Sequence, residues 1–123
     1  MKVLLGIGGS DDSIRALEQV VDRSKQVGDD LTIAIVDNPR SDRSREEIEK
    51  CVEELLSEAG LSAPIRHLEG NPGSELVDIA EQEEFDEIAL GGGQTSPMGK
   101  ISVGSIAEFV LLNAYTSVRL VRE

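Results

Sequence analysis

The sequence alternates short apolar segments with longer segments whose apolar residues recur at helical spacing. The five apolar segments have the pattern of strands buried in a sheet: Lys2 to Ile7, Leu31 to Val36, Ile65 to Leu68, Glu87 to Leu90 and Ser117 to Val121. Strict alternation of this kind predicts an α/β fold with parallel strands, right-handed crossovers and helices on both faces of the sheet.

Four helices are predicted between the strands. The first follows N-cap candidates at Ser10 to Ser13 and ends near Gly28, and the third begins at Pro72. The second, Ser41 to Ala59, is the clearest, because its apolar residues form one stripe: Ile48, Cys51, Val52, Leu55, Leu56 and Ala59. The fourth spans Ser105 to Asn113.

The pattern alone leaves the strand order open. With five strands, the orders 2-1-3-4-5 and 3-2-1-4-5 both satisfy the alternation. In either order, ligands bind beyond the carboxyl ends of the strands, where the winding reverses. In the order 3-2-1-4-5 this point lies between the first and fourth strands. The length of 123 residues predicts a single domain, 1–123.

Glycines are concentrated after those same two strands. Eight of the twelve lie in two clusters: Gly6, Gly8 and Gly9, then Gly91, Gly92, Gly93, Gly99 and Gly104. Glycines between a parallel strand and a helix N-terminus expose backbone N–H groups that bind phosphate oxygens. The second cluster also offers the Thr95, Ser96 and Ser105 hydroxyls and the Lys100 ammonium. The sequence therefore predicts a polyphosphate site in this crevice, although neither the P-loop nor the G-x-G-x-x-G spacing is met.

The net charge of −12 excludes a nucleic-acid-binding surface, which needs clustered Lys and Arg. The charge is uneven: residues 1–87 carry a net −13 and residues 88–123 a net +1. Only four residues are Lys, and this acidity is typical of proteins adapted to a high-salt cytoplasm. Neither a signal peptide nor a membrane span is predicted, so we expect a cytoplasmic protein.

Single chemically active residues do not assemble into a catalytic or metal site. One cysteine and one histidine cannot form a typical zinc site; Cys51 is predicted to be a buried apolar residue, and His67 a structural or surface residue. The acidic run Glu46 to Glu58 is predicted to be a solvated helix face.

Four further residues keep two interpretations each. Asp11 and Asp12 either cap the first helix or help to hold a nucleotide-bound Mg²⁺. Asp37 either forms a turn or reaches a nucleoside. Lys100 either contacts phosphate or is solvated, and its glycine-rich surroundings favour the contact.

Four stretches of the chain resemble the universal stress protein family. Gly91, Gln94, Gly104 and Ser105 keep the spacing of that family's phosphate signature: Gly, two residues, Gly, nine residues, Gly, then Ser or Thr. The other stretches are LGIGGSDDSIRAL, EGNPGSELVDIAEQEEFDEIALG and LLNAYTSVRLV. Together they span nearly the whole chain in the family's order.

The resemblance implies a three-layer sandwich of the adenine nucleotide alpha hydrolase-like type, with a five-stranded parallel sheet in the order 3-2-1-4-5. It also implies, for one branch of the family, an ATP site. The implied site residues have three roles: Gly91, Gly104, Ser105 and the backbone of Ile106 hold ribose and phosphates, the backbone of Ile35 meets adenine, and Ile7 and Gly8 line the nucleoside end.

Two positions depart from the family's pattern. Gln94 stands at the second glycine of the signature, and Gly8 stands where the family has an aspartate. The first hypothesis is a stress-response regulatory protein that binds ATP, or a related adenine nucleotide, and whose nucleotide state alters a partner surface. The alternative is a nucleotide-free interaction module that has lost the site. No catalytic residues are predicted, and a slow ATP hydrolase is a third, weaker hypothesis.

The last strand, Ser117 to Val121, has few charges apart from Arg119 and the following Arg122. An exposed edge strand of this kind pairs readily with another chain. We therefore expect a two-fold homodimer formed by antiparallel pairing of this strand, in accord with the dimers that the resemblance implies.

Overall fold

The computed structural model of the chain describes residues 1–8, 11–36, 43–91, 94–95, 101–102 and 105–121. Its strands are β1 (Lys2–Ile7), β2 (Asp30–Ile35), β3 (Ile65–His67), β4 (Glu87–Gly91), β5 (Gln94–Thr95), β6 (Ile101–Ser102) and β7 (Ser117–Val121). Its helices are α1 (Asp11–Val27), α2 (Arg45–Ala59), α3 (Pro72–Gln82) and α4 (Ser105–Asn113).

Five strands form one parallel sheet in the order β3-β2-β1-β4-β7. The α/β prediction is confirmed. So is the order 3-2-1-4-5 that the resemblance implied, since β7 is the fifth strand of this sheet. The alternative order 2-1-3-4-5 is wrong. β1 lies at the centre, with β2 on one side and β4 on the other, so the winding reverses between β1 and β4.

Two apolar clusters fill the space between the sheet and its helices. The alternating side chains of β1 divide between them: Val3, Leu5 and Ile7 pack with α1 and α2, and Leu4 packs with α3 and α4. The molecule therefore has three layers, with two helices on each side of the sheet. These clusters contain nearly all of the buried apolar residues described, and they fix the strand ends that form the candidate site.

Local capping sets the helix ends. The Ser44 hydroxyl accepts a hydrogen bond from Glu47 N–H at 3.2 Å, and α2 begins at Arg45, so the predicted start at Ser41 is wrong. Gly60 ends α2 in the left-handed conformation, as its position predicted. Asn71 caps α3 through Ser74 N–H at 3.0 Å, with Pro72 in the first turn.

The two-stranded antiparallel ladder β5–β6 was not predicted. Gln94 pairs with Ser102 and Thr95 with Ile101. Strands this short have no sequence signal, because two residues are too few to display the alternation that identifies a strand.

Candidate functional site

The carboxyl ends of β1 and β4 lie side by side. Gly6 is in register with Leu90, so Ile7 and Gly8 leave the sheet beside Gly91. Ile7 is fully buried, whereas Gly8 and Gly91 are half-buried at the mouth of this edge. The parallel ladder thus brings together the starting points of the two glycine-rich loops, at the reversal of the winding.

The end of β2 borders the same place on the other side of β1. Ile35 is in register with Ile7, and Val36 N–H donates to the Ile7 carbonyl at 2.9 Å. The Ile35 carbonyl already accepts a hydrogen bond from Leu68 N–H at 2.9 Å. Ile35 is fully buried, so its backbone lies beneath the surface of this edge.

Two helix N-termini meet this edge of the sheet. α1 starts at Asp11 soon after β1, and α4 starts at Ser105 after the second glycine-rich segment. Helix N-termini carry partial positive charge and unpaired N–H groups, both of which favour anions. Ile106 is half-buried and packs against the α3–α4 cluster, so the first turn of α4 is anchored to the core.

The β5–β6 ladder folds the segment between β4 and α4 back on itself. Gln94 lies three residues after Gly91, and its partner Ser102 lies three residues before Ser105. The ladder therefore draws the two arms of the segment together. Gly104, Lys100, Ser96 and Asp37 lie outside the described residues, and for Gln94, Thr95, Ser105, Asp11 and Asp12 the description is limited to the backbone.

His67 ends β3 in register with Ile35, two strands from β1 at the carboxyl edge of the sheet, and Cys51 lies on α2. His67 is on the surface, with Nε2 3.2 Å from Glu49 Oε1 on α2, a carboxylate partner that sequence spacing could not identify. Cys51 is half-buried rather than buried. Burial raises the pKa of its thiol, nearby Arg43 opposes this, and Glu54 and Glu18 raise the pKa further, which disfavours the thiolate.

The described residues lack two further features, a metal-binding cluster and a membrane-spanning helix. They contain no cluster of three or more His, Cys, Asp or Glu side chains that could hold a metal ion. Among them, no helix is both long and apolar enough to cross a bilayer.

A groove of about 310 Å³ lies between α1 and β7, away from the β1–β4 crevice. It is lined by Gln19, Val20, Arg23, Arg119, Leu120 and Val121. The guanidinium of Arg119 is held at one wall by Glu87, with Nε 2.9 Å from Oε1. None of the sequence-predicted site residues lines this groove.

Known proteins provide an independent comparison. The family model of the universal stress protein family matches residues 1–122. The universal stress protein MJ0531 of Methanocaldococcus jannaschii is 28% identical over 139 aligned residues, covering 99% of this chain and 82% of that protein.

Solved structures share the fold. A universal stress protein crystallised in complex with cAMP superposes with a TM-score of 0.75 at 23% identity, covering 98% of this chain and 95% of the other. The Archaeoglobus fulgidus universal stress protein in complex with dAMP gives a TM-score of 0.66 at 18% identity, covering 98% and 96%. With the family model matching almost every residue, this chain belongs to the universal stress protein family.

Proposed function

We propose that this chain is a small stress-response regulatory protein that binds ATP or a related adenine nucleotide in the crevice between the loops following β1 and β4. The observation that carries the proposal is the adjacency of the two strand ends, each followed by glycine, where the winding reverses. Two proteins of the same fold, solved with cAMP and with dAMP, support an adenine nucleotide as the ligand.

In this proposal the chain holds the nucleotide mainly through its backbone. Gly91, Gly104, Ser105 and Ile106 contact ribose and phosphates, and the positive ends of α1 and α4 offset the phosphate charge. The backbone of Ile35 meets adenine, and Ile7 and Gly8 line the nucleoside end. A Mg²⁺ ion would be held by the phosphates, with Asp11 or Asp12 as candidate ligands.

Gly104→Val tests the site. A branched side chain at a backbone–phosphate contact should weaken ATP binding about tenfold or more, measured by calorimetry with Mg²⁺. Ser62→Val is the matched control, because Ser62 is exposed and precedes β3, at the opposite edge of the sheet. Equal binding by Gly104→Val and wild type would contradict the proposed phosphate contact.

The departures at Gly8 and Gln94 favour a second candidate, a nucleotide-free interaction module of the same fold. Each hydrogen bond missing from the site costs about 1 kcal/mol, or about fivefold in affinity. Mass spectrometry of small molecules released from denatured protein separates the candidates. No adenine nucleotide and no binding at millimolar ATP, with binding gained in a Gly8→Asp, Gln94→Gly variant, would establish the second.

We further propose a homodimer formed by antiparallel pairing of β7. This strand is at the edge of the sheet, and among the described residues it pairs with β4 on one side, so its other backbone side is the one proposed to pair with a second copy. Sedimentation equilibrium at micromolar concentration in molar KCl should give the mass of two chains. A single-chain mass under those conditions would contradict the dimer.

The acidic composition supports a cytoplasm of high salt concentration as the working environment. The screening length falls from about 10 Å at 0.1 M salt to about 3 Å at 1 M, which relieves repulsion among surface carboxylates. The thermal unfolding midpoint should therefore rise between these KCl concentrations. A midpoint independent of KCl would argue against this habitat.

A further inference from the structure

The groove between α1 and β7 forms where the helical cover on this face of the sheet ends. α1 packs across β1 and β4, and β7 lies beyond β4 at the edge. Side chains along a strand alternate between the two faces of the sheet, and Val121 packs with the cluster of α1 and α2, so Arg119 projects to that same face. The groove volume of about 310 Å³ is at the lower end of the range of small-molecule pockets.

The charged groups that line the groove are cationic. Of the six described residues that line it, Arg23 and Arg119 are basic and none is acidic. Gln19 and Arg23 are four residues apart on α1, so they share one side of that helix and line the wall across from Arg119. In the whole chain, by contrast, 24 Asp and Glu residues outnumber 12 Lys and Arg residues. The groove is therefore a local concentration of positive charge on an acidic protein.

Each of these arginines meets a carboxylate through its Nε atom. Arg119 Nε lies 2.9 Å from Glu87 Oε1, and Arg23 Nε lies 3.8 Å from Asp29 Oδ2. A guanidinium has further N–H groups on its two terminal nitrogens. Among the described residues, no hydrogen-bond acceptor meets the terminal nitrogens of either arginine. These nitrogens are the donors that the groove offers to a ligand.

The pair of Arg119 and Glu87 is fixed in place but incompletely satisfied. Only 27% of the Arg119 side chain and 14% of the Glu87 side chain are exposed. Arg119 Nε and Glu87 Oε1 are both buried, and their close contact lacks the geometry of a hydrogen bond. Buried polar atoms normally have hydrogen-bond partners, so an added acceptor at this guanidinium would supply aligned bonds that the pair lacks. Because burial already orders Arg119, a ligand loses little free energy in immobilising it.

We infer that this groove binds a small organic carboxylate, at a site separate from the proposed nucleotide crevice. A carboxylate is planar and has two oxygens, the geometry that the fork of a guanidinium matches, and Arg23 provides a second donor beside Arg119. Val20 and Val121 line the groove and offer apolar contact to the carbon chain of the ligand.

The net charge of −12 repels anions only over a short range, because the screening length is about 8 Å at physiological ionic strength. Inside that distance the two guanidinium groups dominate the field of the groove. The groove lies on the face of the sheet that α1 covers, so a ligand there does not need the outer backbone edge of β7. The inference is therefore independent of the proposed dimer.

Hexanoate is the probe, because it joins a carboxylate to a short apolar chain. We expect a titration of isotope-labelled protein, followed by amide NMR shifts at about 0.1 M salt without nucleotide, to give a dissociation constant of about 1 mM, typical of so small a ligand. The shifts should concentrate on residues 19–23 and 119–121. Hexanamide, which has the same shape without the charge, should bind at least about tenfold more weakly.

Two variants test the donors. Arg119→Lys keeps a positive charge beside Glu87 and removes the fork, and Arg23→Gln removes a guanidinium whose side chain is 49% exposed. Each should weaken hexanoate binding at least about fivefold. Arg66→Lys is the matched control, because Arg66 is also a strand arginine paired with a glutamate, Glu83, but it lies on β3 at the opposite edge. This control should bind hexanoate as the wild type does.

Several results would overturn the assignment. Shifts spread over arginines elsewhere on the surface, or equal affinity for hexanoate and hexanamide, would show that the groove does not recognise a carboxylate. Sulfate that binds as tightly as hexanoate would show that charge alone is recognised. If Arg119→Lys does not fold, Arg23→Gln still decides, since unchanged binding in that exposed helical variant would contradict the site. A protein that binds no ATP would leave these results intact, because the groove and the crevice share no lining residue.

Discussion

Adding one methyl group at Gly6 should destabilise the protein. Gly6 is in the central strand β1, where a Cβ atom would lie 2.8 Å from Leu90 Cδ2 and 2.9 Å from Leu76 Cδ1. Both leucines are buried, Leu76 completely, and they belong to the cluster between the sheet and α3. Because both side chains are buried, their methyl groups can shift only within a close-packed core.

Two opposing effects set the magnitude. Overpacking a close-packed core costs about 1–3 kcal/mol. Replacing glycine by alanine within a strand returns about 0.5–1 kcal/mol, because alanine loses less conformational freedom on folding. We therefore expect Gly6→Ala to lower the free energy of unfolding by about 1–2 kcal/mol, or the thermal midpoint by roughly 3–5 °C per kcal/mol.

Gly73→Ala is the matched comparison, since its Cβ would lie 2.7 Å from Phe109 Cδ1. The added Cβ would also lie 3.0 Å from Phe109 Cγ and 3.1 Å from Phe109 Cβ, which stay close to the α4 backbone, so ring rotation alone does not relieve the overlap. Alanine is favoured over glycine in a helix by about 1 kcal/mol. Gly73→Ala should therefore lower the free energy of unfolding by up to about 2 kcal/mol, the cost of overpacking less the helix preference of alanine.

Urea unfolding at one fixed protein concentration measures these differences, because dimerisation makes apparent stability depend on concentration. In a Leu76→Ala background, Gly6→Ala should cost about 1 kcal/mol less, since both Leu76 methyl contacts are gone and the Leu90 contact remains. A Gly6→Ala protein as stable as the wild type, or a Gly73→Ala protein more stable than the wild type, would refute the argument from overpacking.

Three further perturbations act at single backbone or side-chain features. Glu84 is exposed and has φ 56°, so Glu84→Gly should raise the unfolding free energy by about 0.5–1 kcal/mol, whereas Glu84→Ala should not, as a thermal melt will show. Ser44→Ala or Asn71→Ala removes a helix cap and should cost about 1 kcal/mol in urea unfolding. The raised pKa of Cys51 means that the folded state holds this proton more tightly than the unfolded state does. Its small contribution to stability is therefore present at neutral pH and lost as the pH rises through the folded pKa, and iodoacetamide should react more slowly with folded than with unfolded protein at neutral pH.

Much of the fold follows from the sequence because its signals are local and repeated. The bounds of β1 and of α4 match their predicted ranges, since each is an uninterrupted apolar or helical pattern. The start of α2 was misplaced because both Ser41 and Ser44 are good N-cap residues, and composition does not distinguish them. The strand order needed the family resemblance, because alternation fixes parallel pairing but not which strands are neighbours.

The candidate site also has parts that the sequence predicts and parts that it does not. Parallel topology alone predicts that Gly8 and Gly91 leave neighbouring strands once β1 and β4 are paired. The β5–β6 ladder and the contact of His67 with Glu49 depend on tertiary placement, and neither has a sequence signature. The apolar stretch FVLL in α4 is visible in the sequence, but the sequence does not show which of its residues are exposed. The exposure of Leu111 and Leu112 is evident only in the structure.

Whether a bound nucleotide could move helix α4 can be judged from the free energies involved. A nucleotide bound at the N-terminus of α4 contributes about 1 kcal/mol per backbone hydrogen bond. Displacing the helix would disturb the buried Val110 and Ala107, and loss of comparable core contacts costs about 2–5 kcal/mol. A few hydrogen bonds therefore do not move α4 as a body. We therefore expect a bound nucleotide to leave α4 in place on the core and to change the dimer dissociation constant only slightly.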